Sequence, residues 1–250
     1  MPMKRTVTGE MKYTPKRRKY SKAKASRVPA GVKEYVQQAV HRGRELKTAV
    51  PERVTNPAGL TNGLVITSLV PTIANNSTVA GRVGNKIRVK KAYLRLNVTM
   101  REQTAASNIG PVYFDIYIVK NRAQGSAPDI LKFLDFGNAD TPYDSNTNPS
   151  CGLLDVNTDL VQQKFRKRCL LYNVEADTGL TAPGGLIAAK DMYIDCTSFL
   201  KDTWMYNDTD VVPTNDNLYL CIGCSASIGS VGNVAMGQFT SAFHVKYEDA

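Results

Sequence analysis

The chain has 250 residues and carries 32 Lys/Arg against 22 Asp/Glu, a net charge of +10. No apolar run reaches the roughly 18 residues that a membrane-spanning helix requires, and the basic N-terminus lacks the apolar stretch of a secretory leader, so neither a spanning helix nor export is expected. Five cysteines, an odd number, point to reduced thiols rather than a disulfide framework, and the length suits one large all-β domain or two small ones.

The charge is concentrated at the start. Residues 1–47 hold 14 Lys/Arg against 3 acids, a net of +11, whereas the other 203 residues are nearly neutral. The first 27 residues have almost no large aliphatic side chains. Ordering a residue costs about 1–2 kcal/mol of backbone entropy, and no apolar burial offsets it, so a disordered arm is expected. Lys4, Arg5, Lys12, Lys16, Arg17, Arg18, Lys19, Lys22, Lys24 and Arg27 are the candidate nucleic-acid-binding residues. Each cation that neutralises a phosphate releases a condensed counterion, a salt-sensitive attraction that reads no sequence. Tyr13 and Tyr20, set among these charges, suit stacking on unpaired bases. Lys4-Arg5, ten residues, then Lys16-Arg17-Arg18-Lys19 also has the form of a two-part nuclear import signal, which would make a host importin a partner.

Residues 29–46 have helical spacing, with Val32, Tyr35, Val36, Ala39 and Val40 on one face, and predict a short helix or irregular linker. From about residue 60 the period becomes two. Strands are predicted around 64–69, 93–100, 112–118, 169–172, 192–197, 218–222 and 239–247, seven in all, each apolar on one face as in antiparallel sheets packed on one side. Long Asn/Asp/Gly/Ser/Thr/Pro-rich loops separate them at 121–130 and 136–152, with Ile130–Leu134 as one or two helical turns inside the excursion. The pattern predicts a two-sheet sandwich, with the jelly roll as leading topology.

Enzymatic chemistry is not expected. Only His41 and His244 are present, no phosphate-loop motif occurs, and the plentiful aspartates sit in turn-like stretches. Cys221-Ile-Gly-Cys224 is a CxxC, but on a strand its two thiols face opposite ways, which argues against a metal or redox pair. No metal, cofactor or membrane partner is expected. Arg82, Lys86, Arg88, Lys90 and Lys91, clustered before the clearest strand, form a candidate inner-surface basic patch; a solvated strand entry would look the same.

Taken in order, the Arg/Lys arm, Lys33-Glu-Tyr-Val36 through Arg44-Glu-Leu-Lys47, Gly84-Asn-Lys-Ile-Arg-Val89 leading into Tyr93-Leu-Arg-Leu96, Val112-Tyr-Phe-Asp-Ile-Tyr-Ile-Val119, Arg166-Lys-Arg-Cys-Leu-Leu-Tyr172, Trp204-Met-Tyr-Asn-Asp208 and Pro213 to Leu220 resemble the capsid proteins of circular Rep-encoding single-stranded DNA (CRESS-DNA, circovirus-like) viruses. The resemblance implies an all-β, eight-stranded antiparallel jelly-roll sandwich with a disordered basic N-terminal arm. It also implies a division into an arm and linker (1–47) and a shell domain (48–250), sixty copies in a T=1 shell, and a packaged single-stranded DNA genome. The place of action would be the virion, and the host nucleus during assembly. Periodicity alone marks seven strands, so the eighth is sought at 73–83 or 151–156. A coat protein of a small RNA or satellite virus, and a cellular nucleic-acid-binding protein with a basic tail, remain as alternatives, because phosphate neutralisation does not distinguish the cargo.

Overall fold

The computed structural model describes residues 32, 46–56, 59–78, 80–101, 111–123, 126–137, 139–145, 150–172, 188–226 and 235–250. The arm residues Lys4 to Arg27, and the 29–46 linker apart from Val32 and Leu46, lie outside the described residues. The chain divides into two units, Met1–Arg44 and Glu45–Ala250, and every described strand belongs to the second.

All strand pairings of this second unit are antiparallel. In one sheet, β1 (Lys47–Thr48) and β2 (Glu52–Thr55) pair with β13 (Gly237–Asp249), β13 with β4 (Lys86–Met100), and β4 with β10 (Ala189–Asp195); β11 (Thr203–Met205) adds to the start of β4. The other sheet runs β3 (Val65–Ser68), β12 (Tyr219–Ala226), β5 (Val112–Asn121), β9 (Val161–Leu171). With β1 and β2 counted as one interrupted strand, the order is first-eighth-third-sixth in one sheet and second-seventh-fourth-fifth in the other. That order defines an eight-stranded jelly roll.

Period-two patterning builds the core. Leu94, Leu96 and Val98 of β4, Phe239 and Phe243 of β13, Phe114, Ile116 and Ile118 of β5, and Leu220 and Ile222 of β12 meet between the sheets, each almost wholly buried. Each such side chain contributes about 1.5–3 kcal/mol of burial.

The seven predicted strands are all present. The eighth is 47–55, not 73–83 or 151–156. Pro51 interrupts it, and Lys47, Glu52 and Arg53 obscure any alternation, so only its pairing with β13 marks it as a strand. Lys47, counted with the arm's charge, belongs to this body. Its buried Nζ donates to the Gly81 carbonyl at 3.0 Å and pairs with Asp249 at 2.8 Å.

The 122–160 excursion is more than loop. Ile130–Lys132 forms one 3-10 turn, capped by Asp129, which accepts from the Leu131 N–H. Then β6 (Leu134–Phe136), β7 (Ala139–Thr141) and β8 (Asp155–Val156) make a small sheet. Phe133, Leu134, Tyr143, Cys151 and Val156 pack with Tyr117, Val119 and Cys221 in a second apolar cluster. The four-stranded sheet is thus covered on both faces in its middle, contrary to the one-sided expectation. Cys224 lies in the main core and Cys221 in the second cluster, on opposite faces as the strand period requires. All five cysteines are free and buried.

Tyr143 is held over the sheet by a missing side chain: a Cβ on Gly223 would lie 2.3 Å from its ring. Its hydroxyl donates to Asp115 Oδ2 at 2.7 Å, and Asp115 pairs with Arg168 at 3.3 Å. Burial raises the Asp115 carboxyl above its ordinary pKa, against the opposing pull of Tyr143, Arg168 and Arg166. Burial likewise pushes the Cys151 thiol up to about 11.

Candidate nucleic-acid interface

On the six-stranded sheet the basic residues are grouped on β4 and its neighbours. Inward positions of β4 are apolar, so its outward positions carry the polar side chains: Lys86, Arg88, Lys90, Lys91, Tyr93, Arg95, Asn97 and Thr99. Two successive residues, Lys90 and Lys91, fall between the inward Val89 and Ala92. The register with β13 slips here, since Lys91 pairs with Lys246 and Val89 with Tyr247. This is a bulge, one extra residue that re-aims its neighbours, and it adds a cation to the outer face.

Strand register sets the other side chains of this face in rows. Lys246 lies beside Lys91. His244, Tyr93 and Asp195 form the next row; Arg53, Ala242, Arg95 and Tyr193 the next; Thr55, Thr240, Asn97 and Asp191 the one after. Tyr93 stacks between His244 (ring centres 4.7 Å apart, 10° between planes) and Tyr193 (5.3 Å, 26°). Lys91 Nζ and the Arg95 guanidinium stand 5.9 and 5.8 Å from the Tyr93 ring centre. His244 is held below its ordinary pKa, first by burial and then by the charges of Arg95 and Arg53. Asp195 accepts from the Thr197 side chain and N–H, which lowers its pKa and keeps it ionised. The result is a sheet face with many cations and three stacked rings, able to neutralise phosphates and to meet flat apolar groups.

The five residues of the predicted patch divide. Lys86, Arg88 and Lys91 are exposed on this face. Lys90 is half-buried and pairs with Glu248 at 2.9 Å. Arg82 does not belong to the patch. It is fully buried, donating to the carbonyls of Gly84, Asn207 (3.1 Å) and Asp210 (2.8 Å) and lying 4.4 Å over the Tyr206 ring. Its charge serves to tie two connections together, because the carbonyls it bonds are ones no strand ladder reaches.

Arg53, Lys246, Tyr193 and His244 were not among the predicted site residues. The outward phase of each is legible locally, but their assembly on one face depends on which strands are neighbours. Among the described residues no group of three or more His, Cys, Asp or Glu is positioned to hold a metal ion. No helix among them is long and apolar enough to cross a membrane.

No protein-family pattern and no curated protein sequence matches the chain. Among solved structures it is similar to Desmodium yellow mottle tymovirus, at 12% identity over 82% of this chain and 88% of that one, with a TM-score of 0.34. It is similar to turnip yellow mosaic virus at 9% identity over 83% and 94%, with a TM-score of 0.35. It is also similar to VP1 of trichodysplasia spinulosa-associated polyomavirus, at 11% over 81% and 94%, with a TM-score of 0.24. Likenesses so distant assign no residue and no role; the jelly-roll topology stands on the chain's own strand order.

Proposed function

We propose that the protein is a viral capsid protein whose copies assemble into a closed shell around single-stranded DNA. The observation that carries this reading is the pairing of a jelly-roll body with an arm of concentrated positive charge. A fold alone does not imply a function, but the arm and the outer face of β4 suit a polyanion. Moving Glu45 and Lys47 to the body leaves residues 1–44 with 13 Lys/Arg against Glu10 and Glu34, still +11.

In a T=1 shell of sixty copies, such arms would supply roughly 660 positive charges, enough to neutralise about that many phosphates of a packaged strand. Leu131, Phe136 and Leu153 on the excursion are each more than 60% exposed, apolar surface of the kind that contacts between copies would cover. In this reading the Lys4-Arg5 and Lys16–Lys19 clusters address the unassembled chain to the host nucleus through an importin and afterwards bind the genome.

Negative-stain electron microscopy of the purified full chain tests the assembly. Closed particles of uniform size are expected; only monomers or small oligomers, over a range of salt, would refute it. Digestion of the co-purified nucleic acid tests the cargo: loss to DNase and resistance to RNase are expected, and the opposite pattern would make this the coat protein of an RNA or satellite virus.

A further inference from the structure

The ring stack on the six-stranded sheet is open at one end. Tyr93 has a ring against each face, His244 on one side and Tyr193 on the other. Tyr193 stands on β10, the last strand of the main path of the sheet, and is 57% exposed. No other described ring stacks on it.

Beside Tyr193 runs a groove of about 480 Å³, lined by Arg95, Asn97, Asp191, Thr240 and Ala242 among others. The small Ala242 lies between Arg53 and Arg95 in its row, so the floor is low where the flanks are cationic. The groove is within the size range of small-molecule sites, about 300–1,000 Å³.

The charges in it are mixed, and the mixture is informative. Asp191, exposed, accepts from Asn97 Nδ2 at 2.7 Å through one carboxylate oxygen. A phosphate would be repelled there. The amino and imino N–H groups on a base edge would not, since a carboxylate has lone pairs left for them. Arg95 stands in the neighbouring row and Arg53 in that same row on β2, at positions where a backbone would pass.

We propose that Tyr193 and the adjoining groove seat one unpaired base of a single-stranded nucleic acid, the base extending the ring stack, its polar edge meeting Asp191 and Asn97, and its flanking phosphates lying on Arg53 and Arg95. This rests on the nucleic-acid reading of the same face and deepens it, from charge neutralisation to selection of single strands. A duplex keeps its bases stacked inside and offers no free ring. The chain's own arm, net positive, is the wrong sign for this face.

The test uses the full chain and three labelled ten-nucleotide probes: a single strand, its duplex, and a single strand of the same phosphates lacking bases. Base–aromatic contacts supply affinity that phosphate contacts do not, so the native chain should prefer the base-bearing strand to the abasic one by roughly tenfold. Tyr193→Ala should abolish the share of that preference that the arm tyrosines do not supply, a loss of about fivefold or more, and leave the abasic affinity unchanged. Tyr193→Trp should retain the preference. Tyr193 is exposed, so a melting curve like that of the native chain is expected of both variants. An undiminished preference in Tyr193→Ala, or a native chain that binds the abasic strand equally well, would overturn this inference and leave the capsid reading intact. Failure to bind any of the three probes would overturn the nucleic-acid reading itself.

Discussion

Two buried charged residues do opposite kinds of work. Arg82 satisfies carbonyls of connections that have no ladder partners. Arg82→Leu should therefore lower stability by about 1.5–3 kcal/mol, as hydrogen bonds from a charged group are lost. Urea titration checks this, and the salt dependence of nucleic-acid binding should not change. Asp115 is different. Its pKa is raised in the folded chain, so its neutral form is the one folding favours. The stability it contributes is complete below the ordinary carboxylate pKa and is lost as pH rises through the higher folded value. Asp115→Asn cannot ionise, so its stability relative to the native chain should increase between pH 4 and pH 7. Urea midpoints at the two pH values measure this; a constant difference would mean that Asp115 is not raised.

The start of β4 at 86–92 was hidden by the Lys90-Lys91 bulge, but the rest was legible because eight residues of alternation, 93–100, have no other reading. The first strand was not, because two and four residues broken by Pro51 carry no period of their own. The excursion reads as loop for a related reason. Its apolar residues are scattered among turn formers, and they become a cluster only by meeting the second face of β5 and β12. That face looks polar in the sequence because it presents Tyr113, Asp115 and Tyr117. The docking depends on Gly223, where Tyr143 lies on bare backbone. Gly223→Ala should force Tyr143 away at a cost of about 1–3 kcal/mol. Limited proteolysis should then cut first within 122–160, while amide exchange in β4 and β13 stays slow. Unchanged cleavage there would mean that the excursion is anchored by other contacts.

For the whole molecule, binding should divide into a charge contribution and a base contribution with different salt responses. Each phosphate contact on a single strand contributes about −0.7 to the slope of log K against log salt. Replacing Lys86, Arg88 and Lys91 together by Gln should lower that slope by about 2, whereas Tyr193→Ala should leave it unchanged. Fluorescence anisotropy between low and moderate salt reads both. An unaltered slope in the triple variant would mean that Lys86, Arg88 and Lys91 contact no phosphate. The arm's role was legible from composition alone, because counterion release requires only charge density. The face of the body was legible only in part: the phase of β4 exposes Lys86, Arg88 and Lys91, but nothing local reveals that Arg82 turns inward.

By itself the sequence determined the class of the fold, seven of its eight strands, the opposed facing of Cys221 and Cys224, and the segregation of charge at the start of the chain. These follow from periodicity and composition, which are local properties. Only the tertiary structure decided that 47–55 is a strand, that the excursion covers a sheet, that Arg82 is a buried tie, and that Tyr93, Tyr193 and His244 form one stack. Each of these joins residues distant in the chain through strand order and register, and a register is set by the packing of the whole sheet rather than by any one strand.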